Sequence, residues 1–375
     1  MRSLKVILLA LLCIQLSRAQ SYECTIEKDG EQEFCVFQGV KFSKNTTNIA
    51  FAFPGATTPV NVAFKDSHMV GIPGKFLDVF GDDLKVLKVE NCKLQSVTIT
   101  QNMEALRARN NVIEKVFMNR NDECASLTEL DLSSNRLKTV QNITNCGKLK
   151  VLNLNGNEKL WQKNTIDFSE FANLNQLEEL GLSDNGVFYL DNLKNIGLQS
   201  LKLLDLSKND ILPSDLRLDI LKPFTALETL KLNDNNMEQL DYADLTDFKS
   251  LKSVHLNGNN FPCRKMKDML EFLNTQHNIA TPLDRHSNCG DQELEGMCCR
   301  GPLPPRPVPP PRPLTPSPDS TTPHAQNGPT KAPFDPRNPE NDDSDSSWQI
   351  VLAVVVIIAI IVAGAGYFIY KKRSH

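Results

Sequence analysis

Ten cysteines are the residues of this chain best equipped for chemistry, and their spacing suits cross-linking rather than catalysis. Cys13 lies in an amino-terminal apolar leader, which leaves nine beyond it, an odd number for a chain routed through an oxidising compartment. Cys24 and Cys35 sit close together near the start and are expected to close one end of the fold. Cys124 and Cys146 each stand three residues before a leucine, Leu127 and Leu149, that opens a similar stretch of sequence. If those stretches stack as neighbouring strands about 4.8 Å apart, the two sulfurs come within disulfide reach. Cys263, Cys289, Cys298 and Cys299 cluster near residue 300. The adjacent pair would form a strained eight-membered ring, so each is expected to reach back to Cys263 or Cys289, in an order the sequence leaves open. Zinc is the rival use of these four, but their spacing is unlike that of zinc ligands. The six histidines, at 68, 255, 277, 286, 324 and 375, form no metal-binding pair, and no Ser, Cys or carboxylate falls in a catalytic motif. The expectation is a non-enzyme that needs neither metal nor cofactor. A net charge of −4 gives no reason to expect nucleic acid.

These cysteines must be positioned by a repeated element. Between Leu84 and Phe261 the chain shows eight copies of one pattern: two apolar residues three apart, then x-Leu-x-x-Asn-x-apolar. The clearest copies are Leu127-Thr-Glu-Leu130-Asp-Leu132-Ser-Ser-Asn135-Arg-Leu137 and Leu177-Glu-Glu-Leu180-Gly-Leu182-Ser-Asp-Asn185-Gly-Val187. Their leading residues (Leu84, Met103, Leu127, Leu149, Leu177, Leu201, Leu227, Leu251) are 19 to 28 apart. That is the span of a leucine-rich repeat, in which each copy adds one short strand to a curved parallel sheet and buries its leucines only against its neighbours. The fold expected is an α/β-type leucine-rich repeat solenoid. A degenerate ninth copy, with Val62, Phe64 and Met69 at apolar positions and Ser67 in place of Asn, precedes the eight. The asparagines at 111, 135, 157, 185, 209, 235 and 259 are expected to turn inward and satisfy backbone groups at the bend. Cys92 occupies that position in the first clear copy and reads as the free, buried thiol left over from the pairing.

The domain plan follows. Residues 1–19 read as a secretory signal, with Arg2 and Lys5, an apolar run and Ser17-Arg18-Ala19. An amino-terminal cap covers 20–58, the repeats 59–261, and a cysteine-containing carboxy-terminal cap 262–300, where Met266, Met269, Leu270, Phe272 and Leu273 share a helical face. Residues 301–349 form a stalk: the stretch 302–339 carries 15 of the chain's 22 prolines, and such runs adopt extended polyproline II. Ile350 to Tyr370 is 21 residues without a charge, long enough to span a bilayer as one transmembrane helix. Lys371, Lys372 and Arg373 follow it, placing residues 371–375 in the cytoplasm and the repeats outside. The expectation is a type I single-pass protein of the plasma membrane whose short tail needs a partner to signal. Asn45-Thr-Thr47 and Asn142-Ile-Thr144 are acceptors for N-linked sugar.

The concave sheet would present one exposed residue of every strand in a central column: Lys88, Arg107, Asp131, Asn153, Gly181, Asp205, Lys231 and His255. Lys85, Arg109 and Lys150 make its start basic, and Glu178, Glu179, Asp184 and Asp205 make its middle acidic. A banded face of that kind suits a protein partner.

The leader, the short segment Cys35-Val-Phe-Gln-Gly-Val40, the modest repeat array and the capped end with adjacent cysteines resemble the leucine-rich immune proteins of mosquitoes over about residues 20–300. The membrane span points to the transmembrane type of that family. The resemblance implies a recognition receptor or co-receptor of innate immunity, with a microbial ligand, a complement-like thioester protein or another leucine-rich repeat protein as partner. This chain has the proline stalk where soluble members carry a long coiled coil, which puts the paired, complement-holding role in question. Homophilic adhesion or guidance, and capture without signalling, are the competing expectations.

Overall fold

The computed structural model describes residues 20–301, apart from 44, 45, 47, 48, 56, 57, 73, 81, 82, 119–123, 162, 212–215, 284–288, 290 and 291. The chain divides into two units, Met1–Leu314 and Thr315–His375, and the described residues fall in the first. The expected signal, the stalk beyond Gly301, the span and the tail lie outside the described residues, as does Asn45. No helix among the described residues is long and apolar enough to cross a membrane.

The leucine spacing folds as a solenoid built on one sheet of eleven strands. In chain order these are β1 (Thr25–Asp29), β2 (Gln32–Gln38), β3 (Asn61–Lys65), β4 (Val86–Val89), β5 (Ala105–Arg107), β6 (Glu129–Asp131), β7 (Val151–Asn153), β8 (Glu179–Gly181), β9 (Leu203–Asp205), β10 (Thr229–Lys231) and β11 (Ser253–His255). Each pairs with the next; β1 and β2 are antiparallel, and every later pair is parallel. The middle residue of each repeat strand (Leu106, Leu130, Leu152, Leu180, Leu204, Leu230) points inward and is fully buried, as are Leu132, Leu154, Leu182, Leu206, Leu232 and Leu256 two positions on. Burying a leucine contributes roughly 1.5–3 kcal/mol, so these stacked columns carry most of the stability.

Inside the bend stands the asparagine ladder. Asn135, Asn157, Asn209, Asn235 and Asn259 each send Nδ2 to the carbonyl three residues back and to its equivalent one turn earlier. Their Oδ1 atoms accept backbone N–H groups of the preceding turn, such as Ile113 N at 2.9 Å from Asn135. Asn185 departs from the pattern: its Oδ1 takes Asn157 N at 2.7 Å, but its buried Nδ2 has no partner. Cys92 takes the ladder position with its thiol on the carbonyls of Phe64 and Glu90, free and buried, and desolvation pushes its pKa up to about 11. Ser67 serves the degenerate turn by accepting Val40 N at 3.0 Å.

The α/β expectation needs correction on the convex side. There the repeats return through 3-10 turns (Ile143–Asn145, Phe168–Phe171, Leu218–Leu221, Tyr242–Asp247) and short parallel ladders, Ser96–Ile99 with Lys115–Met118 and Thr165–Asp167 with Tyr189–Asp191. The return segments are too short to offset helix nucleation, and β-branched residues such as Val97, Thr98 and Ile99 favour extended backbone. The described α-helices lie at the ends: α1 (Gly74–Phe80) and α2 (Cys263–Leu270). Phe76 and Phe80, four apart on α1, pack with Phe37, Phe51 and Phe64, so phenylalanines fill the first turns where leucines are missing. At the other end α2 runs into a π-turn, Glu271–Gln276, and lays Met266, Met269, Leu270 and Leu273 over the last repeat. Ala280 pairs with Ser253, so the exposed edge of β11 is covered.

Four disulfides pin these parts. Cys24 bonds Cys35, and Cys124 bonds Cys146 across successive turns with Cα atoms 5.3 Å apart. In the carboxy-terminal cap Cys263 joins Cys299 and Cys289 joins Cys298, which supplies the connectivity the sequence left open.

Candidate functional site

Strand register places the expected central column in line. Lys88 lies beside Arg107, Arg107 beside Asp131, and the pairing continues through Asn153, Gly181, Asp205 and Lys231 to His255. All eight are half-buried, because each side chain stands between its neighbours on a pleated surface.

The charges on this face are largely spent on one another. Arg107 grips Glu129 with two bonds, Nε to Oε1 at 2.6 Å and Nη2 to Oε2 at 2.8 Å, and this hydrogen-bonded carboxylate raises the arginine's pKa. Arg109 pairs with Glu90 at 3.1 Å. One residue ahead of each strand runs a column read in the sequence only in fragments: Lys85, Glu104, Thr128, Lys150, Glu178, Lys202, Glu228, Lys252. Its signs alternate, and neighbours bond: Lys85 to Glu104 at 2.8 Å, Glu178 to both Lys150 and Lys202 at 3.3 and 2.6 Å, and Lys252 to Glu228 at 2.7 Å. The two lysines hold the Glu178 carboxyl below the usual carboxylate range, Lys202 contributing most. The basic and acidic bands expected from the sequence are therefore neutralised locally by cross-strand pairing.

At the amino-terminal end the face is also covered. Lys88 on β4 bonds Asp29 on β1 at 2.8 Å, although β2 and β3 lie between those strands in the sheet. Strands are about 4.8 Å apart, so a flat sheet would hold these residues beyond the reach of a side-chain bond; the β1–β2 hairpin must arch over the concave surface. Glu27 beside Lys65 makes a second clasp. Under the hairpin lies a separate apolar cluster of Phe34, Val36, Ala63, Val86 and Ala105. A cavity of about 190 Å³ remains between the clasps and this cluster. The hydrogen bond from Lys88, then its charge, then those of Arg107 and Lys65 hold Asp29 below its ordinary pKa.

From β6 onward the surface changes character. Asp131 and Asp205 each accept the backbone N–H and hydroxyl of the serine two residues on, Ser133 and Ser207. Asn155 Oδ1 reaches across to Ser183 N at 2.7 Å. A β-carbon on Gly181 would come 2.8 Å from that oxygen, so glycine leaves the notch that Asn155 crosses. Lys231 approaches Asp205 at 3.6 Å. The result is a polar, nearly neutral floor of amides, hydroxyls and two aspartates. Among the described residues no three His, Cys, Asp or Glu side chains converge as metal ligands.

Asn142 stands exposed on the convex side, away from this floor. The sequence missed Asp29, Glu104, Glu129 and Glu228 as partners of the concave cations. The alternation after each leading apolar residue was a visible signal, but it is spread over repeats 19 to 28 residues long.

The fold and its columns define a leucine-rich repeat solenoid, and residues 126–147 match the Leucine Rich Repeat family model. No curated protein sequence matches the chain. Solved structures similar to it include the LRIM1 leucine-rich repeat domain (17% identity, 74% of this chain and 93% of that one, TM-score 0.45). The APL1B leucine-rich repeat domain is 22% identical over 64% of this chain and 73% of that one, with TM-score 0.44. The mouse RP105/MD-1 complex is 16% identical over 61% and 43%, with TM-score 0.43.

Proposed function

We propose that this chain is a cell-surface recognition receptor or co-receptor of innate immunity that holds an extracellular protein on the concave sheet between Asp131 and His255. The observation that carries the reading is the unbroken register of that column, in which polar side chains, interrupted at Gly181, line a floor left open by the hairpin. Four disulfides support passage through an oxidising compartment. The immune assignment rests on the resemblance to leucine-rich immune proteins, and the partner is a complement-like thioester protein or a second repeat protein. Residues 350–370 anchor the chain, with 301–349 as the stalk.

The test is capture. Full-length chain displayed on cells is exposed to extracellular fluid, and bound proteins are identified by mass spectrometry. Asn153→Arg and Lys231→Glu are expected to abolish capture, while the convex substitution Lys138→Glu leaves it intact. Capture that survives both concave substitutions refutes the surface. Clustering of cells through the chain alone, with nothing else bound, transfers the assignment to homophilic adhesion.

A further inference from the structure

We propose that Asn142 carries an N-linked glycan and that Phe117, one turn earlier on the convex side, is the platform on which its first sugar lies. Among the described residues Phe117 is the aromatic member of the exposed large hydrophobics. It is 48% exposed, in a ladder whose neighbouring Val116 is buried. An exposed aromatic ring offers a flat apolar face that the apolar side of a sugar can cover.

The register shows what lies beside it. Val97, Val116 and Val140 are buried, each 13 residues after the leading residue of its repeat, so they hold one place on three successive turns. Gln141 therefore falls next to Phe117, and Asn142 one step further on. A hydrogen bond fixes this: Asn142 Nδ2 donates to Val116 O at 2.8 Å, the carbonyl of the peptide bond that leads into Phe117. Asn142 spends no side-chain bond on capping the 3-10 turn it precedes. The two residues after it are anchored, Ile143 and Thr144 being buried and Thr144 Oγ1 donating to Gln141 O at 3.2 Å.

The chemistry is compatible with that geometry. The donor is an oligosaccharide linked to a lipid diphosphate. Asn142 Nδ2 bonds to the anomeric carbon, the bond from that carbon to the phosphate oxygen breaks, the lipid diphosphate leaves, and one amide proton is lost. The substituted amide keeps its other N–H, which is enough to retain the bond to Val116 O. The sugar is then held against the ladder, where the apolar face of its pyranose ring and the N-acetyl methyl can cover the phenylalanine. The site rests on the secretory reading but not on the concave partner, whose capture is measured separately.

The experiment uses the full chain made in eukaryotic cells, with Asn45→Gln so that one sugar is read. Glycopeptide mass spectrometry is expected to show Asn142 occupied. Trimming to a single N-acetylglucosamine should leave the melting temperature unchanged, and the chain made in a host that adds no N-linked sugar, with Asn142 intact, should melt about 2–4 °C lower. Phe117→Ser should erase that difference and Phe117→Tyr should keep it. An unoccupied Asn142, or an equal loss in the Phe117→Ser and parent proteins, overturns the proposal.

Discussion

Replacing Asn209 by alanine tests whether the asparagine ladder holds the turns together. The side chain is 3% exposed. Its Oδ1 accepts Asn185 N at 3.0 Å and Val187 N at 3.3 Å, and its Nδ2 donates to the carbonyls of Leu182 and Leu206, both at 3.0 Å. Leu206 O keeps a second donor in Asn235, so the loss falls on the two N–H groups and on Leu182 O. A buried, unpaired N–H costs about 1–3 kcal/mol, which puts Asn209→Ala at about 3–5 kcal/mol. That corresponds to a fall on the order of 10 °C in melting temperature. Hydrogen exchange gives the sharper readout, because repeats communicate mainly with their neighbours. The amides of Asn185 and Val187 should lose protection, while Leu137 N, served by Asn157, keeps it. Asn209→Cys should recover little of the loss, because a thiol donates to carbonyls, as Cys92 does at its own position, and leaves the two N–H groups unpaired. A melting temperature within about 2 °C of the parent would refute the reasoning, since it would mean that these backbone groups find partners without the asparagine.

Four further outcomes are expected. Cys92, its folded pKa pushed by burial from the ordinary 9.0 up to about 11, should resist thiol reagents at pH 8 until the chain unfolds. Because the unfolded thiol ionises first, its contribution is complete below pH 9 and is lost as pH rises toward 11; denaturant titrations at pH 8 and 10.5 measure the difference, and a Cys92→Ala chain should lack it. Removing the Cys124–Cys146 bridge with paired alanines should cost about 3 kcal/mol for a loop of its size, read by denaturant unfolding. Asp29→Asn should speed amide exchange in Thr25–Asp29. The lowered Asp29 pKa implies that the clasp persists above the ordinary carboxylate value of 3.8 and is lost as pH falls through the lower folded value. Gly181→Arg should abolish partner capture, its side chain filling the notch and pushing Asn155 off Ser183 N; far-ultraviolet dichroism and the melting temperature check that the solenoid survives the local shift.

What could be read from the sequence was what repeats. The leucines recur at strand spacing, so the core columns, the bend asparagines and the cross-turn cysteines followed from counting. Cys92 was legible for the same reason, as a substitution at a known place in a pattern. The convex path was not legible, because its segments differ in length and share no period. Nor was the state of the concave charges. Asp29 and Lys88 are 59 residues apart, and their meeting depends on the curl of a hairpin. Phe117 and Asn142 share no motif, and only the stacking of turns brings them together.

The ladder also gives the chain a direction in time. Each asparagine serves backbone groups that come before it: Asn135 completes the turn holding Ile113, Asn157 the one holding Leu137, and Asn259 the one holding Met237. A turn emerging from the ribosome is therefore unfinished until the following one has been made, and the growing end always carries one turn's worth of unanswered amides. After the last repeat the backbone is tied to residues that are not a repeat: Arg300 N donates to Phe261 O, and Cys263 N to Arg300 O. Synthesis halted at any repeat boundary would leave a correctly wound coil with an open end, which the carboxy-terminal cap closes in the finished chain.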